Sequence, residues 1–128
     1  MATFRYDAHP MGIMISTLAS LSTFHPECNP ALQGDSLYSK LNPNVNEARN
    51  RVIYRVLGKV STIAANVYRH RVGREYNQPM YEPENYIQGL LYGMDKLNEP
   101  DYKPDPELVK ILDQLFIVLA GKVLESRV

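Results

Sequence analysis

Three histidines, one cysteine and a basic triplet are the residues of this chain whose types could do chemistry. His9 and His25 each stand directly before a proline, and His70 lies between Arg69 and Arg71. With Cys28 and the scattered carboxylates they build no set of ligands at metal-site spacing. A histidine beside proline supplies turn and capping geometry, and His9 and His25 are read in that role. Cys28 has no lysine or arginine next to it to hold a thiolate, so it is read as an inert thiol. Arg69-His70-Arg71 falls where a helix ends, and there positive charge complements the dipole. The chain holds no phosphate-cradling glycine loop, no dinucleotide fingerprint and no nucleophile elbow. From motifs alone, the expected catalytic, cofactor-binding and metal residues are none.

The elements that position these residues read as helices between proline-rich connections, an all-α pattern with about four main helices. Pro10 suits a first helical position because it has no N–H to leave unsatisfied, and Asp7 or His9 can cap it. The spacing predicts a helix over 10–24, with Met11, Met14, Ile15, Leu18 and Leu21 on its apolar side and a small-residue stripe of Gly12, Ser16 and Ser20 beside them. Residues 26–44 read as loop, rich in Pro, Asn, Asp and Ser. A second helix is predicted over 46–72, capped by Asn46, striped by Val52, Ile53, Val56, Leu57, Val60, Ile63, Ala64, Val67 and Tyr68, bent near 58–62 and ended by Gly73. After a loop at 74–83, a third helix spans about 84–97 with Ile87, Leu90, Leu91 and Met94 on one face. The last is predicted over 105–120, capped by Asp105 with Pro106 as its first residue. Its apolar residues cover so much of its circumference that burial on more than one side is expected.

Composition narrows the function classes. The 128 residues carry 14 Lys plus Arg against 14 Asp plus Glu, so the formal charge is zero. No one-sided field is available for phosphates, and neither a nucleic-acid nor a membrane-surface partner is expected. With 45% hydrophobic and 22% charged residues the chain is no disordered segment. The longest apolar run, Leu115 to Ala120, is far below the roughly 20 residues a membrane span needs. No signal or transit peptide is visible near residue 1, and a single thiol fits a reducing compartment, so an intracellular, most simply cytoplasmic, location is expected. Ser126-Arg127-Val128 is only a weak echo of the peroxisomal Ser-Lys-Leu address.

Longer segments go further. Asp7-Ala8-His9-Pro10-Met11, then Leu21 to Pro26, Asn29 to Gly34, Gly58 to Ala65, Tyr68-Arg69, Gly73-Arg74, Asn85-Tyr86, Leu91 to Met94, Tyr102 to Pro106 and Leu115 to Ala120 together resemble the citrate synthase family. The resemblance spans residues 3–120; many family members have proline where this chain has Ser61. It implies an interior slice of a large all-α domain, so that 1–128 is part of such a domain with a divergent tail over 121–128. It also implies that the helices at 10–24, 46–72 and 105–120 belong to the helical bundle through which family members dimerise. Self-association, or pairing with a full-length relative, through those helices is therefore expected.

The family reaction condenses acetyl-CoA with oxaloacetate to citrate, in the tricarboxylic acid or glyoxylate cycle. Its acidic-His-Glu motif follows directly on the segment matching Leu115–Ala120, and its histidine binds oxaloacetate. Here Gly121-Lys122-Val123 follows, with Lys122 where that histidine would stand. The second histidine, the aspartate base, the substrate arginines and most of the CoA site lie further along the family sequence. A lysine attracts an anion but does not reproduce an oriented imidazole. The resemblance thus implies a truncated homologue of an acyltransferase, inactive as an isolated chain, with no catalytic residue to carry over, no cofactor and acetyl-CoA as the family's co-substrate.

Overall fold

Proline, glycine and short polar caps divide the chain into the helices found in its computed structural model, which describes residues 3–34 and 45–125. Among these residues are α1 (Pro10–Phe24), α2 (Pro30–Gln33), α3 (Val45–Arg71), α4 (Tyr86–Asp95) and α5 (Pro106–Glu125), a 3-10 turn at Pro26–Cys28, and no strand. The all-α reading holds. The described residues group into two compact units, one within Met1–Tyr76 and one within Asn77–Val128.

In the first unit α1 begins as expected, with Pro10 first and His9 as its cap: the Met11 N–H donates to His9 Nδ1 at 3.2 Å. In its last turns the Ser20, Ser22 and Thr23 hydroxyls donate to the carbonyls of Thr17, Ala19 and Ser20. The helix ends at Phe24, just before Pro26. What was expected as loop over 26–44 begins instead with the 3-10 turn and α2, which Asn29 caps by accepting from the Ala31 N–H; residues 35–44 lie outside the described residues.

The second helix, α3, starts at Val45, so Asn46 lies inside its first turn and is not its cap. It runs helical through Gly58. Its end matches the expectation in detail. Gly73 adopts φ +70°, its N–H donates to the His70 carbonyl, and the Arg74 N–H donates to the Arg69 carbonyl at 2.9 Å. That pairing closes the helix as a Schellman motif, for which glycine pays no side-chain penalty.

Ile13, Ile63 and Val67 form the buried centre of this unit, with Phe4, Ala8, Met14, Leu18 and Leu21 packed around them. Two positions expected on the inner face of α1 point outward: Met11 is 53% and Ile15 62% exposed, while Ile13 is 2% exposed. Apolar residues lie around most of α1, so their spacing alone does not select a face. The expected stripe of α3 likewise splits. Ile63 and Val67 are buried, but Ile53, Val56, Leu57 and Tyr68 are exposed.

The second unit is built on α4 and α5. Helix α4 is shorter at both ends than expected. Asn85 caps it, accepting from the Gln88 N–H at 2.8 Å, and Gln88 Oε1 reaches back to the Glu84 N–H at 2.7 Å. The first bond takes the Gln88 N–H that would otherwise donate to the Glu84 carbonyl and extend the helix backwards. Asp105 caps α5 as expected, accepting from the Glu107 N–H at 2.8 Å. Ile87, Leu91 and Val109 are buried together, with Leu112 against them. Helix α5 runs to Glu125, past the expected end at 120, because Gly121-Lys122-Val123 does not break it. Among the described residues, burial of α5 on more than one side is not observed. Leu108, Ile111, Leu115, Phe116, Ile117, Val118 and Leu119 are all exposed.

Candidate functional site

An apolar concavity of the first unit lies where the end of α1 and the 3-10 turn meet the first half of α3. Leu21, Val52 and Val56 give it an apolar floor, and Ser22, His25, Asn29, Arg55 and Lys59 rim a cavity of about 200 Å³. Pro26 begins the tight turn that carries Glu27 towards α3, and Arg55 Nη1 meets Glu27 Oε1 at 2.6 Å. His25 Nδ1 stands 3.6 Å from the same oxygen, beyond hydrogen-bond distance. The Glu27 carboxyl is held below its usual range, first by its own backbone N–H and then by the Arg55 guanidinium. The carboxylate therefore stays ionised and tied to Arg55, which suits it to hold the turn rather than to move a proton. This ion pair links residues 28 apart in sequence, and local spacing carries no signal for it.

The basic triplet at the end of α3 separates by direction. Arg69 is 3% exposed, and its Nε donates to the Glu75 carbonyl. His70 is a bridge: Nε2 meets the Phe4 carbonyl at 2.9 Å and Nδ1 meets the Tyr76 hydroxyl at 3.0 Å, with the His70 and Tyr76 rings stacked. Arg71 is exposed. All three stand in the last turn of α3, as the dipole reading expects, but only Arg71 is solvated. Two of the three residues tie the segments flanking α1 and α3 to the end of α3.

In the second unit a polar cleft is lined by Glu84, Asn85, Gln88, Lys103, Lys110 and Asp113. Its two acids and two lysines balance, and Asn85 and Gln88 are engaged in capping α4. Nearby, Lys96 Nζ contacts the Tyr92 hydroxyl, and the Tyr92 and Tyr102 rings lie 6.1 Å apart. Burial first, then the charges of Asp95 and Glu99, push the Tyr102 phenol above its usual value. That phenol is a poor proton donor near neutrality.

Within the first unit the three histidines take separate roles. His9 caps α1, His25 rims the cavity and His70 bridges two segments; the Cys28 side chain lies outside the described residues. Lys122 is exposed on α5. Among the described residues no group of three His, Cys, Asp or Glu side chains is placed to hold a metal ion, and no helix is long and apolar enough to cross a membrane.

Comparison with known proteins supplies the wider frame. Residues 1–122 match the family model for the C-terminal domain of citrate synthase. Over 120 residues the chain is 53% identical to a peroxisomal citrate synthase of Dictyostelium discoideum, covering 94% of this chain and 23% of that protein. A second citrate synthase of the same organism is 50% identical over 120 residues, 94% of this chain and 22% of its own length. A glyoxysomal citrate synthase of Cucurbita maxima is 42% identical over 117 residues, 90% of this chain and 21% of its length. The chain spans less than a quarter of the length of these relatives.

Proposed function

Because the chain belongs to the citrate synthase family, we propose that it serves as a helical part of a citrate synthase-type acyltransferase and does not itself catalyse citrate formation. The condensation needs a base for the methyl proton of acetyl-CoA, donors for the enolate and cations for a dicarboxylate. The observation that carries this reading is Lys122, exposed on an unbroken α5; the family resemblance implies an oxaloacetate histidine at that place. Acetyl-CoA and oxaloacetate are then substrates of the complete enzyme, and the helices described here are its scaffold. The test is a coupled thiol-release assay with the purified 128-residue chain, acetyl-CoA and oxaloacetate. No release above the uncatalysed background is expected; release proportional to chain concentration overturns the proposal.

The bare apolar flanks of α1, α3 and α5 favour a second element of the reading. The chain associates through the helices at 10–24, 46–72 and 105–120, with a second copy or with a full-length relative. The peroxisomal and glyoxysomal names of the relatives support a peroxisomal-type location in place of the cytoplasmic expectation.

A further inference from the structure

We infer that His9 and His70 make the start of α1 pH-sensitive in one direction: acidification uncaps the helix at His9, while His70 keeps the preceding segment, residues 3–8, pinned to α3. The inference lies outside the catalytic reading and rests on which ring nitrogens must carry protons.

A backbone N–H only donates. The Met11 N–H meets His9 Nδ1 at 3.2 Å, so that nitrogen presents its lone pair and the neutral ring carries its proton on Nε2. Protonation puts a second donor on Nδ1 and destroys the cap. It also places a cation at the positive end of the α1 dipole. No acidic residue stands in the first turn of α1 to take over, and Pro10 has no N–H to share.

At His70 the constraint is reversed. Nε2 faces the Phe4 carbonyl at 2.9 Å, and a carbonyl only accepts, so Nε2 carries a proton in both charge states. Nδ1 faces the Tyr76 hydroxyl, which donates to the neutral ring and, once turned, accepts from the protonated one. Phe4 and Ala8 also pack on the Ile13, Ile63 and Val67 core.

The charged and titratable groups around this corner are Arg5, Tyr6 and Asp7 on the segment itself, Arg69 and Arg71 on α3, and Arg74, Glu75 and Tyr76 beyond it. Asp7 is the one acid close to His9 in sequence. It is engaged by Arg5 through two bonds of 2.9 Å and feels Arg71, so its charge is committed to arginines.

The test is backbone amide exchange by NMR on the full chain at about pH 7.5 and about pH 5.5, either side of the usual histidine range near 6.5. Protection factors, which remove the intrinsic pH dependence of exchange, are compared for wild type and His9→Asn; the asparagine amide oxygen accepts a hydrogen bond at both pH values. In wild type the Met11 amide should lose protection about fivefold at the lower pH, the usual worth of a cap. In His9→Asn the two pH values should agree. The Ala8 amide, bonded to the Arg5 carbonyl at 3.1 Å, should keep its protection throughout. Nitrogen shifts of both rings give an independent readout, with protonation of His9 Nδ1 tracking the loss at Met11. Three results overturn the inference: pH-independent protection of Met11 in wild type, an equal loss in His9→Asn, or loss at Ala8 together with Met11.

Discussion

Ile13 and Ile15 stand two positions apart on α1 and have opposite fates, 2% and 62% exposed. The spacing of apolar residues placed Ile15 inside and passed over Ile13, because α1 is apolar around most of its surface and the selecting contact comes from α3 through Ile63 and Val67. Ile13→Ala therefore removes atoms from a filled site and should lower stability by about 2–5 kcal/mol. Ile15→Ala removes surface and should change it by no more than about 0.5 kcal/mol. Urea unfolding of both variants followed by circular dichroism separates them, and equal effects contradict the packing described. Glu27 was equally invisible in sequence, since its partner Arg55 is fixed only by the fold. Its folded-state carboxyl titrates below the ordinary 4.5. The stability that the carboxylate draws, first from its own backbone N–H and then from Arg55, is thus complete above that value and fades as pH falls through the lower folded-state one. Both side chains are partly exposed, so the effect should be small and weakened by salt. Glu27→Gln should abolish it, and an acid limb of the melting profile unchanged in Glu27→Gln contradicts the carboxylate's contribution.

Helix boundaries were far more legible than helix faces, because caps are local chemistry. His9-Pro10, Asp105-Pro106 and Gly73 each did at their position what their type does in general. The misplaced start of α3 at Asn46 and the early end expected for α5 show the limit. A good capping residue also fits a first turn, and a glycine such as Gly121 weakens a helix without ending it. These ends are open to substitution tests. A methyl group added at Gly73 would have no atom within 4 Å, so Gly73→Ala meets only the backbone cost of φ +70°. A loss of about 1 kcal/mol is expected. Asp105→Ala deletes the acceptor for the Glu107 N–H and should cost about 1 kcal/mol. Denaturant midpoints measure both, and a neutral Asp105→Ala means that the cap bond adds nothing in solution.

At the scale of the whole molecule, the family was legible in the sequence because several modest segments recur in one order, whereas no single residue announces it. The faces of its helices were not, because a face is defined by what packs on it. Helix α5 shows this most sharply. Leu108, Ile111, Leu115 and Val118 recur at intervals of three and four, the seam spacing of paired helices, yet all four are between 42% and 61% exposed. A soluble monomer seldom leaves such a row bare. If this row is an association surface, a charge placed in it should weaken association without disturbing the fold. Leu115→Lys meets that requirement, because Leu115 is outside the Ile87, Leu91 and Val109 core. Burial of one leucine contributes about 1.5–3 kcal/mol, so association should weaken at least tenfold. On α1, Ser16→Leu adds volume at an exposed position one turn from Gly12, where an added methyl group would meet no atom of another segment within 4 Å. It too should spare the fold while overpacking a close helix pair, at about 1–3 kcal/mol. Sedimentation equilibrium across a concentration series, with and without a full-length relative, gives the result. Wild type should associate, Leu115→Lys should shift the series towards monomer, and its circular dichroism should match wild type. A wild-type chain that stays folded and monomeric at the highest concentration, and leaves an added full-length relative undisturbed, removes the association reading altogether.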